Sequence, residues 1–225
     1  MRGRLTVAVA LLALIVVSAA AAENYQYEIV AADKALATKV VLKRADLGGL
    51  KGWAGGAVKP DRSAEGAEDR CANGYLPKES DLVVTGDAES KYTYRDVTID
   101  TQINVFRSAA MVTTDWQRNA GYQGLLACMR TGLADGLPKG ERLVSVTRLA
   151  FPHVGSKTFA VRVVVDVTGS GRTVPMTMDF VGFYRGRAEA MLVISGLTPE
   201  AAEREIIKAI DLRVAAAVVA KMPAA

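Results

Sequence analysis

The sequence predicts an α+β domain in which an antiparallel β-sheet, built as a meander, carries helices on one face and so forms two layers. Three observations predict this class. Apolar and polar residues alternate from Lys157 to Ser195, which indicates consecutive strands joined by tight turns. Helical patterns flank blocks of strands, as they do in α+β domains. Strands and helices do not alternate one by one, so the order excludes a dinucleotide-binding βαβ fold.

The first 22 residues are expected to be a signal peptide. Arg2 and Arg4 form a positive start, residues 5–17 are apolar, and small residues precede Glu23. The apolar run is near the lower length limit for a spanning helix, which favours cleavage over retention as an anchor. We therefore expect residues 23–225 to form one domain that is secreted or held in the cell envelope, with no integral membrane span after cleavage.

Charge and cysteine content narrow the possible functions. The formal net charge is +4, with lysine and arginine scattered along the chain, which gives no support to nucleic-acid binding. Cys71 and Cys128 are the two cysteines. Export places them in an oxidising compartment, where one intramolecular pairing is open to them. A reactive or metal-binding thiol pair would need a second ligand cluster, which is absent from the sequence. A Cys71–Cys128 disulfide is therefore predicted.

The N-terminal part of the domain is predicted to contain one helix and a long loop. Apolar residues recur at helical spacing over 32–43 and predict the helix. Five glycines between positions 48 and 56 predict a loop, which Trp53 pins to the core. The glycines do not form a phosphate-binding motif, because no Lys followed by Ser or Thr comes after them.

Strands and a broken helix follow. We predict a short strand over 82–85, ended by Gly86, and a half-buried strand over 91–106. Ser108 is a suitable N-cap for the next helix. Glycines at 121 and 124 weaken its middle, so it is expected to be kinked or divided before it ends near 136–138. Another strand is predicted over 141–151.

The first hairpin of the central meander has a register that both faces support. Folding about Ser170 and Gly171 brings apolar residues together on one face, with Val161 opposite Phe180. The same alignment places Arg162 opposite Asp179 on the other face. A slip of one residue would break both sets of pairs.

A second turn at 185–187 is predicted to be a three-residue loop. It would pair Phe180 with Leu192 and Met178 with Ile194. In this register the face of the sheet opposite to Val161 and Phe180 carries apolar residues as well. They are Val164, Val181, Phe183, Met191 and Val193.

The chain is predicted to end in a helix that starts at Thr198-Pro199-Glu200. Its expected buried stripe comprises Ala202, Ile206, Ile210, Val214 and Val218. Asp211 is placed on the opposite, mostly water-facing side. Residues 215–225 have low complexity and are expected to fray.

Residues suited to catalysis are scarce. His153 is the single histidine and lies in a predicted turn, and no Gly-x-Ser-x-Gly motif holds a nucleophilic serine. A metal site with two histidine ligands is excluded. A carboxylate pair could serve glycoside hydrolysis, but Asp179 faces Arg162, which favours a structural ion pair over a pair with Asp166. We therefore expect no enzyme activity, no cofactor and no metal site.

The presence of apolar residues on this second face of the sheet has two explanations. Ordinary core packing is the simpler one. The other is a groove near Trp53, in which a methionine adapts its shape to a small apolar or amphipathic ligand. The candidate ligand-binding residues are Trp53, Val181, Phe183, Met191 and Val193.

A resemblance extends these expectations. The resemblance is carried by a series of short motifs. In chain order they are Asp46-Leu47-Gly48-Gly49, Trp53, Cys71, Leu82 to Ala88, Val105 to Ala109, Asp115-Trp116 and the helix of Cys128. In this pattern the chain resembles secreted actinobacterial sensor-domain proteins, such as the extracellular domain of PknH-type receptor kinases, and more distantly PsbP-like folds. The resemblance implies an antiparallel sheet with flanking helices and a sensory or ligand-binding role without catalysis. The chain departs from the kinase sensors by its smaller number of cysteines and by the lack of a kinase domain.

We therefore expect an exported, non-catalytic binding or sensor-like domain of the cell envelope, whose partner is a small apolar or amphipathic ligand. One alternative is a cell-wall-associated protein-interaction module, whose partner is an envelope protein and which exposes an apolar patch. Another is a carboxylate-dependent hydrolase, which would bring two acidic groups together in a cleft with at least one of them desolvated.

Overall fold

The structure is a computed structural model that describes residues 25–47, 52–60, 62, 78–169, 171–198 and 201–223. Within these ranges the elements are β1 (Gln26–Tyr27), α1 (Ala31–Val40), a 3-10 helix (Arg44–Leu47), β2 (Ala54–Val58), β3 (Val83–Tyr94), β4 (Val97–Phe106), α2 (Ala109–Arg118), α3 (Leu125–Gly136), β5 (Glu141–Arg148), β6 (Lys157–Gly169), β7 (Arg172–Arg185), β8 (Ala188–Leu197) and α4 (Ala201–Val219). The predicted signal peptide and Cys71 lie outside the described residues.

The eight described strands form one mostly antiparallel sheet. Its order is β1-β3-β4-β8-β7-β6-β5, and β2 also pairs with β3. β1 runs parallel to β3, and the other described pairs are antiparallel. The predicted α+β class and the β6–β7–β8 meander are therefore confirmed.

The register between β6 and β7 is the predicted one. Val161 pairs with Phe180, and Arg162 pairs with Asp179. The guanidinium of Arg162 donates from Nε to Asp179 Oδ1 over 2.7 Å. Because the apolar pairs and the ion pair require the same alignment, the side-chain pattern is sufficient to determine this register.

The turn between β7 and β8 is one residue shorter than predicted. Arg185 pairs with Ala188, so the loop contains only Gly186 and Arg187. Gly186 has a φ of 59°. A glycine with positive φ at the first central position is typical of a two-residue hairpin turn, whose twist matches that of the strands. The predicted three-residue loop is therefore wrong.

This shorter turn moves the side chains of β8 to the opposite face. Phe180 pairs with Val193 instead of Leu192. Since successive side chains of a strand point to opposite faces, a shift of one residue exchanges the two sets. Met191 and Val193 consequently do not share a face with Val181 and Phe183, as the predicted register had placed them.

Helices pack on both faces of the sheet, which differs from the expected two layers. On one face, here termed the α4 face, α1 and α4 cover a core that includes Val181 and Leu192. On the other, termed the α2 face, α3 packs on Val161 and Val163, and α2 packs near Phe106. The central strands carry apolar residues on both sides, so both sides must be covered to remove them from water.

Two further elements differ from their predictions for packing reasons. β3 continues through Gly86 instead of ending there. α1 crosses the sheet at this point and needs a residue without a side chain, because a Cβ atom on Gly86 would lie 2.3 Å from the backbone of Asp33. A turn at Arg95 and Asp96, with Arg95 at a φ of 55°, separates β3 from β4. This turn divides the segment that was predicted as one strand over 91–106.

The end of the chain is packed rather than frayed. Ala215 and Val218 are completely buried, and Met222 is also in the core. Lys221 donates to the backbone oxygen of Val41 at 2.8 Å and to Asp46 at 2.6 Å. The prediction that residues 215–225 fray is therefore wrong for the described residues, because tertiary contacts hold a segment of low complexity in place.

Candidate functional site

The five predicted ligand-binding residues are divided between the two faces of the sheet. Trp53, Val181 and Phe183 lie in the core of the α4 face, where none is more than 4% exposed. Met191 and Val193 are half-buried on the α2 face. The structure therefore does not bring the five residues together, and only Met191 and Val193 are placed where a molecule can reach them from solvent.

The other predicted positions lie outside this region. Cys128 is half-buried on α3, and its pairing with Cys71 stays a prediction. His153 is exposed ahead of β6. No helix in the described part of the chain combines the length and the apolar character that a membrane crossing requires. Among the described residues, no group of three or more His, Cys, Asp or Glu side chains is arranged to hold a metal ion.

The α2 face carries a surface of mixed polar and apolar side chains across β3, β4 and β8. Cross-strand pairing places these side chains next to each other in two rows. The first row contains Glu89, Gln102 and Met191, and the second contains Lys91, Asp100 and Val193. All six are half-buried. We term this surface the amphipathic strip.

The strip continues into an open depression of about 510 Å³ at the edge of the sheet. Residues 54–58 of β2 line it together with Lys91 and Thr93 of β3. β2 leaves this space open because its side chains are small, and a Cβ atom added to Gly56 would have no neighbour within 4 Å.

Two acidic groups of this face are paired with cations. Lys91 Nζ lies 3.3 Å from Asp100 Oδ2. Burial raises the pKa of Asp100 and outweighs the opposing effect of Lys91. In the neighbouring row, Lys34 and Arg62 lie 2.9 Å and 2.7 Å from the carboxylate oxygens of Asp87. The charges of Asp87 and Asp100 are therefore balanced within the protein.

Helix α2 brings another acid to the end of the strip. Ser108 caps the helix, since its hydroxyl accepts the backbone N–H of Met111 at 3.2 Å. The sheet-facing side of the helix then buries Val112, Asp115 and Trp116. Asp115 is only 2% exposed, so its carboxyl group needs partners within the protein.

Asp115 forms a hydrogen bond with Glu189 of β8, and we term these two residues the acid pair. Two carboxyl groups hydrogen-bond to each other only if one of them carries a proton. Tyr25 donates to Asp115 Oδ1 at 2.6 Å, and Asn119 donates to the same oxygen at 3.0 Å. Burial raises the pKa of Asp115, and these hydrogen bonds only partly oppose it.

Asn104 lies beside the acid pair with an unsatisfied amide oxygen. It is directly opposite Glu189 in the β4–β8 register, so the two side chains stand next to each other on the α2 face. Asn104 is 6% exposed, and its Oδ1 accepts no hydrogen bond from the described residues. A buried acceptor of this kind costs about 1–3 kcal/mol when it has no donor.

Aromatic rings border the acid pair on its other side. Tyr184 pairs with Glu189 across β7 and β8. The ring of Trp116 lies 5.3 Å from that of Tyr184 and 5.6 Å from that of Phe159. Carboxyl groups, an amide oxygen and aromatic rings therefore meet at the α2 end of the strip.

A second pair of acids lies on the α4 face, between the sheet and α4. Asp179 and Asp211 are both completely buried. Neither oxygen of Asp211 accepts a hydrogen bond from a described donor, so this carboxyl is satisfied as a protonated acid that donates to Asp179. Burial raises the pKa of Asp211 to about 10, the hydrogen bond and charge of Asp179 add to the shift, and Arg162 opposes it.

Sequence reasoning missed both acid pairs. Asp211 was assigned to the water-facing side of α4, although its spacing from Ile207 and Val214 is that of one helix face, and both neighbours are buried. Asp115 carries a similar signal, since it follows the buried Val112 by three residues. No local pattern indicates that Glu189 meets Asp115, because only the packing of α2 on the sheet brings them together.

The fold and site define this chain as an α+β domain whose mostly antiparallel sheet is covered by helices on both faces. No protein-family model matches the chain, and no curated protein matches it. A solved structure from Pseudomonas aeruginosa, PA94, a protein of unknown function and putative regulator, is similar at 14% identity and a TM-score of 0.29, over 54% of this chain and 82% of that one. LpqN of Mycobacterium tuberculosis, involved in cell envelope biogenesis, is similar at 11% identity and a TM-score of 0.33, over 74% and 76%. Both likenesses are too distant to define a function for this chain.

Proposed function

We propose that the protein is an exported, non-catalytic binding domain of the cell envelope that holds a small amphipathic ligand on the amphipathic strip. The observation that carries the proposal is continuity. One half-buried surface runs from the depression beside β2 across β3, β4 and β8, and it ends where α2 buries Asp115 against the sheet. From β2 to β8 it crosses three strand-to-strand gaps, or roughly 14 Å, which suits an elongated molecule. Export is supported by the N-terminal sequence.

The side chains of the strip match a ligand with both apolar and polar parts. Met191 and Val193 offer apolar contacts, and the methionine can adapt its rotamers to different shapes. Gln102 and Asp100 lie next to them and can hydrogen-bond to polar groups. A purely apolar molecule would cover these polar groups without offering them a hydrogen bond and would bind less tightly.

Binding without catalysis is proposed because of the geometry of the acid pair. Glycoside hydrolases separate their two carboxyl groups by about 5 Å in retaining enzymes and by about 6.5–9.5 Å in inverting ones. Asp115 is only 2% exposed and shares a side-chain hydrogen bond with Glu189, so its carboxyl does not face a cleft that could admit a sugar and a water molecule. The acid pair is therefore better suited to binding than to hydrolysis.

Native mass spectrometry of the protein purified from the secreted fraction of its host tests the proposal first. A mass above that of the polypeptide is expected, and organic extraction should release it. Incubating the extracted protein with hexan-1-ol provides a second test, read by NMR shifts of backbone amides in β3, β4 and β8. Absence of a carried mass together with absence of shifts on these strands would refute the proposal.

A matched pair of glycine substitutions locates the ligand. Gly56→Phe fills the depression, while Gly169→Phe places the same side chain on an exposed strand end far from it. Both glycines have open space around an added Cβ atom and a φ that other residues adopt. Gly56→Phe should weaken hexan-1-ol binding and Gly169→Phe should not. Equal binding by both variants and the wild type would place the ligand elsewhere.

A second candidate function, a cell-wall-associated protein-interaction module, is favoured by the edge strand β2. Among the described strands it pairs only with β3, and its sequence, Ala-Gly-Gly-Ala-Val, carries no charge to discourage the addition of another strand. Val58 is 43% exposed there, and Val144 is 47% exposed on the opposite edge strand β5. Loss of co-sedimentation with isolated cell walls in Val58→Lys, but not in Val144→Lys, would support this function. Failure of the wild type to co-sediment would count against it.

A further inference from the structure

We infer that the outer edge of β2 binds an extended acidic segment of a protein partner, which adds to the sheet as a further strand. The inference rests on the second candidate function, because it uses the same edge strand and names the chemistry of the partner. It does not depend on ligand binding on the amphipathic strip. Three observations lead to it: an unprotected strand edge, small side chains along that edge, and exposed cations beside it.

Two edge strands of the sheet, β2 and β5, differ in their protection against another strand. β5 carries Glu141, Arg142 and Arg148, and its register with β6 is broken by an irregularity between Leu143 and Ser145. Charges and bulges of this kind discourage the pairing of a further strand. β2 carries no charge, and its register with β3 is unbroken over all five residues. A further strand is therefore accepted more readily at β2 than at β5.

The backbone of β2 is open to solvent. All of its residues are exposed except Gly56, which is half-buried. Every second residue of an edge strand directs its N–H and C=O groups away from the sheet. Four of the five residues are alanine or glycine, so no large side chain hinders the approach of another backbone. An extended segment can therefore form main-chain hydrogen bonds with β2 and contact the exposed Val58 with an apolar side chain.

Three exposed cations lie along this edge. Arg44 reaches the middle of the strand, where its Nη2 donates to the backbone oxygen of Gly55 at 3.4 Å. Lys59 directly follows β2, and Arg95 begins the turn after β3, at the other end of β2. None of the three forms an ion pair with a described acid. The edge therefore offers positive charge at its middle and at both ends.

The acids near β2 do not cancel this charge. Asp46 and Asp100 form ion pairs with lysines at 2.6 Å and 3.3 Å, and Glu89 also interacts within the protein. Asp96 is exposed next to Arg95 and offsets one cation. Two of the three positive charges thus have no nearby counter-charge among the described residues, and carboxylates of a partner would supply it.

The same charges disfavour a second copy of this chain as the occupant. Antiparallel pairing of β2 with its own copy about Gly56 would bring both sets of cations into one interface, and like charges that face each other are destabilising. An acidic strand removes this repulsion and is attracted to the edge before it docks. Because β2 spans roughly 13 Å, a segment of about five residues reaches from Arg95 to Lys59.

Isothermal titration of the purified protein with the peptide acetyl-Glu-Thr-Val-Thr-Glu-Val-Glu-amide tests the choice of an acidic partner. The control peptide has glutamine in place of each glutamate. The acidic peptide should bind about fivefold more tightly at about 0.01 M salt, as expected for two exposed ion pairs. This preference should shrink at about 0.15 M salt, because salt screens exposed charges.

Two N-methylated forms of the acidic peptide test strand addition without any protein variant. One form carries methyl groups on the odd backbone nitrogens and the other on the even ones, so each blocks one edge of the peptide strand. The form blocked on the edge that faces β2 should bind at least about tenfold more weakly, since it loses main-chain hydrogen bonds. The other form should bind like the unmethylated peptide.

A charge variant and NMR locate the site. The triple variant Arg44→Gln, Lys59→Gln, Arg95→Gln should bind the acidic and the glutamine peptides equally. Arg148→Gln, an exposed position on β5, is the matched control and should keep the acidic preference. Backbone amides of residues 54–58 should shift when the acidic peptide binds, and those of β5 should not.

The results that would overturn the inference are distinct from those that bear on ligand binding. Absence of peptide binding, equal affinity for the acidic and glutamine peptides, or equal affinity for the two methylated forms would each overturn it. So would dimerisation through β2 in analytical ultracentrifugation without peptide, which would assign the edge to a second copy. Binding of hexan-1-ol to the strip would stand in all these cases. Cell-wall co-sedimentation that depends on Val58 but is not reduced by the acidic peptide would keep the second candidate function and overturn the acidic partner.

Discussion

Replacing Asp211 by Asn is expected to stabilise the protein at neutral pH and to remove much of the pH dependence of its stability. Asp211 is completely buried on the sheet-facing side of α4, and its protonated carboxyl donates a hydrogen bond to Asp179, which Arg162 also binds. Asparagine has nearly the same shape, and its amide N–H can donate to Asp179 in the same way. The variant keeps the hydrogen bond but has no proton to lose.

The sign of the effect follows from the two states of Asp211. The pKa of Asp211 is raised from 3.8 to about 10 in the folded protein, mainly by burial. Between these values the folded state holds a proton that the unfolded state has released, so stability falls as pH rises. Each pH unit lowers the free energy of unfolding by about 1.4 kcal/mol. From about pH 4 to about pH 7 the loss is about 4 kcal/mol, an upper bound because relaxation and water penetration reduce it.

Urea unfolding of wild type and Asp211→Asn at several pH values between about 5 and 9 measures this effect. The stability of the wild type should fall with pH relative to the variant, and the difference should grow by up to about 1.4 kcal/mol per pH unit. Asp135→Asn on α3 is a suitable control, since Asp135 is exposed. It should follow the wild-type curve at every pH.

Parallel pH curves for wild type and Asp211→Asn would refute the reasoning. That outcome would mean that Asp211 is ionised in the folded protein, so that Asp179 and Asp211 carry two negative charges together. A variant that is less stable than the wild type at every pH would show instead that an oxygen of the Asp211 carboxyl, rather than its proton, stabilises the packing of α4.

Three further predictions concern stability. Ser108→Ala should lower the free energy of unfolding by about 1 kcal/mol in urea titrations, because it removes the N-cap of α2, whereas an unchanged value would show that solvent replaces the cap. Gly182→Ala should cost about 1–3 kcal/mol, since its Cβ atom would lie 2.1 Å from the ring of Phe159; combining it with Phe159→Leu should recover part of the loss, and strict additivity would contradict the proposed clash. A Cys71–Cys128 bridge should make the purified chain two hydrogens lighter than the reduced chain and stabilise it by about 4 kcal/mol in the chain-entropy model, whereas a mass equal to that of the reduced chain would disprove it.

Much of the sheet could be predicted because its strands carry redundant information. In β6 and β7, the apolar pair Val161–Phe180 and the ion pair Arg162–Asp179 require one alignment, so each confirms the other. β8 lacks an equivalent charged pair with β7, and its register depended on the length of the turn at Gly186. A difference of one residue there was enough to place its side chains on the wrong face.

The candidate site was predicted less well, because it combines elements that are distant in the chain. Met191 and Val193 were named as ligand contacts, but Trp53 and Phe183 belong to the opposite face. Asn104 gave no signal, since a polar residue in an alternating strand is expected to face water. It became informative only once the structure showed it buried with an unsatisfied oxygen.

The sequence by itself determined the α+β class, the strands of the central meander and the pairing of Arg162 with Asp179, because these depend on periodicity and on neighbouring strands. Only the tertiary structure decided that helices cover both faces, that Asp115 meets Glu189, and that Asp211 is buried. Whether a carboxyl group holds a proton or faces a ligand depends on burial and on the groups around it. Those groups come from α2, α4 and the sheet, and no local pattern specifies how these elements pack.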